Sequence, residues 1–240
     1  MKNTFRVLLA LLCALPAAAA LKEAALRLPD ALATAPRLPV QGRQGWKLLE
    51  RLEFGGLTVH DVQRSLSKGG DLAIAIPGLG YEGSKRRQTF LFKVDGPDLP
   101  AWRGAAATNL RRRALDVGVD LELHNKSGFM ALLSPDAQAD VQWTLDLQEK
   151  GERPLVGTLS RDDVIVTVTG TNKLAGTILP LGETTGYIFE VKGRPLAAVE
   201  VINHGAVWFA PDLDPALRAP VTTAISSLLL FEELRQTLPE

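Results

Sequence analysis

Cysteine is nearly missing from this chain. The single one, Cys13, sits inside an apolar run near the N-terminus, so a mature chain cleaved after that run has no disulfide framework and no thiol chemistry. Histidine is scarce as well, at three residues, which thins the field for imidazole-based metal sites and general bases. No Gly-x-Ser-x-Gly, Ser-Asp-Asn or Lys-Thr-Gly occurs, which removes the common hydrolase elbow and the companion motifs of penicillin-recognising enzymes. No apolar stretch reaches the ~20 residues of a membrane-crossing helix. Neither sign of charge dominates: 27 basic residues face 27 acidic ones, so a general affinity for nucleic acid or anionic membranes is not implied.

What is present begins with a leader. Lys2 and Arg6 precede a nine-residue apolar run, Val7 to Leu15, then Pro16 and the small residues Ala17 to Ala20. That order is the pattern of a cleavable secretory signal peptide over residues 1–20, with an Ala-x-Ala cleavage site and an alanine-rich, bacterial look. The expected location is periplasmic or secreted. Lipidation is not expected, because bulky Leu12 precedes Cys13 where a lipoprotein signal has a small residue. Losing Lys2 and Arg6 leaves 25 basic residues against 27 acidic ones, a net charge of about −2.

Residues 21–45 carry Pro29, Pro36 and Pro39 with several alanines and read as an arm or linker. From Trp46 to Glu240 the pattern predicts one β-rich domain. Val141, Trp143, Leu145 and Leu147 alternate with Gln142, Thr144, Asp146 and Gln148, and Leu115 to Leu123 alternates likewise, the period-two signature of half-buried strands. Turn-forming residues separate such runs at Gly55-Gly56, Asp95-Gly96, Asn125 to Gly128, Ser134 to Asp136, Lys150 to Pro154, Ser160 to Asp163, Lys192 to Pro195 and Asn203 to Gly205. The expected fold is mainly β, an antiparallel hairpin-built barrel or sandwich of about a dozen strands. A parallel α/β fold is not expected, since no helix-length segment lies between consecutive strands.

The C-terminus departs from this pattern. Asp214-Pro215 is a helix start, a capping oxygen followed by a residue with preset φ, and Pro220 is expected to restart the helix after one loose turn. From Val221 to Leu234 apolar residues cover nearly every azimuth, and Thr222, Thr223, Ser226 and Ser227 are small enough to bond back to their own backbone. One buried apolar helix over about 215–237 is the expectation. In layout, a strand pair followed by a buried terminal helix over Tyr187 to Leu234 resembles the tubby-like barrel, in which a C-terminal helix runs through a closed sheet. The resemblance implies architecture alone.

Several short motifs invite chemistry. Gly78 to Gly83 spells the dinucleotide fingerprint, but β-like Thr89 to Val94 follows instead of a helix, so a glycine-rich loop is the expectation and no cofactor is predicted. Ser65-x-x-Lys68 has the spacing of penicillin-recognising enzymes without their other motifs. Asp120, Glu122 and His124 share one face of a strand, as any wet strand face allows, and no metal site is assigned. His60 and Asp61 are adjacent on a strand and are expected to face opposite sides.

The remaining candidates are two basic clusters, Lys85, Arg86 and Arg87, and Arg111, Arg112 and Arg113. Three consecutive cations cannot share one strand face, so each cluster belongs in a loop or at a strand end, where convergent guanidiniums can grip a phosphate-bearing group. The expected function is that of an exported, non-catalytic envelope protein that binds a ligand, anionic lipid headgroup, polysaccharide or protein partner. The alternative is a periplasmic hydrolase assembled from separate strands, with Asp120 or Glu122 acting alongside His60 or His204.

Overall fold

A computed structural model describes residues 25–44, 47–67, 87–108, 128–149 and 154–237. The leader, the fingerprint at Gly78 to Gly83, the Asp120, Glu122 and His124 trio, and most of both basic clusters lie outside these residues. Within them the chain forms thirteen antiparallel strands and one α-helix. The strands are β1 (Leu38–Pro39), β2 (Gln41–Gln44), β3 (Lys47–Phe54), β4 (Leu57–Ser67), β5 (Arg87–Gly96), β6 (Leu99–Thr108) and β7 (Gly128–Pro135), followed by β8 (Trp143–Gln148), β9 (Val156–Arg161), β10 (Val164–Thr171), β11 (Gly186–Val191), β12 (Arg194–Glu200) and β13 (Ala206–Phe209).

From β2 to β13 each strand pairs with its sequence neighbours, a plain meander that becomes a nearly closed barrel through β1. Leu38 and Pro39 pair with Val207 and Ala206 of β13, the Val40 amide donates to the Gly205 carbonyl at 3.1 Å, and Gln41 to Gln44 turn to β3. One extended stretch thus serves both edges of the sheet, which removes the unpaired strand edges an open sheet would expose. Pro39 fits there because its missing N–H costs nothing on the side away from β13.

Glycine makes the tight hairpins possible. Gly55 and Gly56 have φ of 56° and 78°, the left-handed pair that matches the twist of β3 and β4. The turn expected at Asp95-Gly96 falls two residues later, at Pro97-Asp98, because Gly96 still pairs with Leu99.

The inward alternation is apolar throughout: Phe90, Phe92 and Val94 on β5, Phe129, Ala131 and Leu133 on β7, Trp143, Leu145 and Leu147 on β8, all buried. Outward positions carry Lys93, Asp95, Arg103, Asp146 and Glu190, an apolar-in and charged-out barrel, the reverse of one that crosses a bilayer with its strands. No described helix is long and apolar enough to cross a membrane.

The helix α1 (Pro215–Thr237) fills the barrel. Asp214 caps it, its Oδ1 accepting from the Ala216 amide at 2.8 Å. Contrary to the expected restart, the helix runs unbroken through Pro220, which forgoes one backbone bond but already has a helical φ. Val221 to Leu230 are buried on all sides. Three of the four small polar residues satisfy themselves locally: Thr223 donates to Ala219 O at 2.8 Å, Ser226 to Thr222 O at 2.9 Å and Ser227 to Ala224 O at 2.7 Å. Its closest strands, β6 and β7, present buried Ala106 and Ala131, and these small side chains let the helix approach the sheet.

Residues 25–37 wrap the outside of β11 to β13. Leu26, Leu32 and Ala35 are buried against Ala198, Ala206 and Trp208. Beneath them Glu200 is 1% exposed, accepts from the Leu26 amide at 2.8 Å, and lies 3.6 Å from the Arg37 guanidinium.

Candidate functional site: the loop-bearing rim

In a meander, alternate connections emerge at opposite ends of the barrel. One rim carries the short turns after β3, β5, β9 and β11 and the entry to α1. The other carries the long connections: 68–86 between β4 and β5, 109–127 between β6 and β7, and 172–185 between β10 and β11. This second rim is the candidate site, since a rigid barrel carrying its long connections at one end is a common way of presenting binding residues.

Of the sequence candidates, Lys85, Arg86, Arg111, Arg112 and Arg113 lie outside the described residues. Arg87 is the first residue of β5, paired with Ser67. The strand ends that bracket both basic clusters are Ser67 and Arg87 for the first, and Thr108 and Gly128 for the second; β5 pairs with β6 and β6 with β7, so all four stand side by side on the loop rim.

Two further cations lie beneath this rim, and neither stood out in the sequence. Arg64 reaches the buried helix, donating to the Leu230 carbonyl at 3.5 Å with its guanidinium 5.7 Å from the Phe90 ring centre. Arg43, 3% exposed, donates to the Val201 carbonyl at 3.0 Å and packs beside Gly205, where a Cβ would stand 2.8 Å from its Nη1. Arg43 falls in the stretch read as an arm or linker and Arg64 is a single arginine in strand-like sequence, so neither forms a cluster that sequence could single out.

Aromatic rings support them. Phe92, Phe90, Phe129 and Phe231 follow one another at centroid separations of 6.1, 6.3 and 4.6 Å, joining the strand interior to the helix. Offset and tilted ring contacts of this kind add rigidity beyond their buried area.

The loop 172–185 is built differently. Its neck is pinched by Asn172 and Leu181, whose backbone N–H donates to Asn172 O at 2.8 Å while the Asn172 side chain donates to Leu181 O at 2.9 Å. Thr185 holds the base, with its amide donating to Thr171 O at 2.7 Å and its hydroxyl lying 3.0 Å from the same oxygen. Beyond the neck, Ile178 is 99% exposed and Leu179 80%. The sequence signal for this tip is the short apolar run Ile178-Leu179-Pro180-Leu181 between Gly176 and Gly182.

His60 lies elsewhere, on the outer wall near the short-turn rim. The expectation that His60 and Asp61 face opposite sides fails: a bulge between His60 and Gln63 puts Asp61 at φ 53°, and its carboxylate turns back to 3.3 Å from His60 Nδ1. Asp95 lies 3.1 Å from Nε2. Ser65 stands on strand β4, not on the helix that a Ser-x-x-Lys nucleophile uses. Among the described residues, no three histidine, cysteine or carboxylate side chains gather as a metal site.

No family model, curated protein or solved structure matches this chain. The rim must be interpreted on its own chemistry.

Proposed function

We propose that this protein is an exported, non-catalytic binding protein of the cell envelope that engages an anionic lipid surface through the loop-bearing rim. One observation carries the reading: the strand ends bracketing both arginine-rich clusters stand next to one another on that rim, so each cluster is tethered to the same end of the barrel. Export rests on the leader, and headgroup binding on the bidentate geometry of guanidinium with phosphate. The filled interior supports a surface role, because α1 occupies the space in which a hollow barrel would hold a small ligand.

The test is retention on vesicles of phosphatidylglycerol at increasing salt. Replacing Arg111, Arg112 and Arg113 by Gln is expected to weaken retention and flatten its salt dependence; unchanged retention refutes the reading.

The hydrolase reading keeps one observation in its favour, the two carboxylates at His60. Its test is turnover of ester or glycoside substrates that disappears with His60→Ala.

A further inference from the structure

We propose that the tip Ile178-Leu179-Pro180-Leu181 is a wedge that inserts into the acyl region of a lipid bilayer, setting the barrel's orientation on the membrane with the loop rim down. The proposal deepens the lipid-surface reading and rests on it for the choice of a bilayer over a protein cleft.

The tip is the most exposed apolar feature among the described residues, with Ile178 at 99% and Leu179 at 80%. It is convex: Gly176 and Gly182, which flank it, have open space around them. A water-soluble surface tolerates single exposed aliphatics, but two at the apex of one projecting loop are unfavourable in water unless something covers them. Val164 and Ile165, also exposed, sit at the opposite end of β10 and do not extend the patch.

The loop is not a slack one. The Asn172–Leu181 neck fixes its stem, the Thr177 hydroxyl donates to Leu179 O at 3.2 Å within the tip, and the arm is stitched to its base, Ala175 N to Ala25 O at 2.8 Å and Arg27 N to Lys173 O at 3.3 Å. Holding the apex in place beforehand lowers the ordering cost of insertion. At the base stand exposed Arg27 and Lys173 with Glu183, a net positive collar at the depth where anionic headgroups begin.

The experiment uses the chain's lack of other thiols. With Cys13→Ser, a polarity-sensitive dye is placed on the thiol introduced by Leu179→Cys, and the protein is mixed with phosphatidylglycerol vesicles carrying nitroxides along the acyl chains. A blue-shifted dye quenched by the nitroxides is expected, as is about a tenfold loss of retention for Ile178→Ser with Leu179→Ser at unchanged melting temperature. A dye that stays in water on bound protein, or full retention by the double serine variant, overturns the wedge while leaving the arginine reading intact. Conversely, insertion that survives replacing Arg111 to Arg113 by Gln overturns the arginine reading alone. Sedimentation showing a dimer that the serine variant dissociates assigns the tip to a second copy and also overturns the wedge.

Discussion

Gly104 offers the sharpest test of the barrel's interior packing. It pairs with Phe92 across β5 and β6, and the Phe92 ring lies over it: a Cβ at Gly104 would stand 2.2 Å from Cζ and 2.3 Å from Cε1. Ordinary carbon contacts sit near 3.5–4.0 Å, so the ring must retreat by more than an ångström. It has little room to do so, being 2% exposed and backed by Phe90 at 6.1 Å. Overpacking of this kind costs about 1–3 kcal/mol, while the stiffer unfolded chain of a Gly→Ala change returns only about 0.4–1 kcal/mol. Gly104→Ala is therefore expected to lose about 1–2 kcal/mol, read as a fall of roughly 2–8 °C in melting temperature for a chain of this size. Phe92→Leu removes the obstructing ring, so the double variant is expected to be more stable than the two single losses predict, by at least about 0.5 kcal/mol. Urea unfolding of the four proteins, followed by far-ultraviolet circular dichroism, gives the cycle. A Gly104→Ala protein as stable as the wild type, or strictly additive losses, would refute the reasoning.

Two other predictions concern buried polar groups. Thr222 is fully buried in α1 and its Oγ1 makes no hydrogen bond among the described residues, so the near-isosteric Thr222→Val is expected to hold or raise stability by up to about 1 kcal/mol, whereas Ser226→Val, which also breaks a bond and adds bulk, is expected to lower it; the same urea titration decides both. Glu200→Ala removes the acceptor for the Leu26 amide beneath the arm, a charged hydrogen bond worth about 1.5–3 kcal/mol. Trypsin is then expected to cut at Arg27 and Arg37 well before the barrel unfolds, and cleavage at the wild-type rate would show that Glu200 does not hold the arm.

Much of the fold was legible because burial follows local periodicity. Trp143, Leu145 and Leu147 alternate in sequence and all point inward, and the all-round apolar helix from Val221 has its hydroxyls bonded back to its own turns, as their size and spacing suggested. Turn residues were equally readable at Gly55-Gly56, where two left-handed conformations in succession demand glycine. The failures have two causes. Alternation says nothing about an extra residue in a strand, so the bulge that brings Asp61 back to His60 was invisible, and the proline rule overstated the break at Pro220. The candidate rim was hardest to read: clusters of arginine were evident as clusters, but that their flanking strand ends adjoin is a property of pairing between segments far apart in the chain.

The amino-acid order by itself determined what each segment prefers: pleated chain with one oily face, glycine at the hairpins, and a terminal helix too greasy to remain in water. These are local matters of side-chain spacing and backbone sterics, so neighbours within a few residues suffice to set them. Tertiary structure alone decided that Leu38 to Gln44 serves both edges of the sheet, that Glu200 goes beneath the arm, that Arg43 reaches the Val201 carbonyl and Arg64 the helix, and that Ile178 and Leu179 are left bare. The bonds of Glu200, Arg43 and Arg64 join residues more than a hundred positions apart, and such pairings leave no trace in any short stretch of sequence.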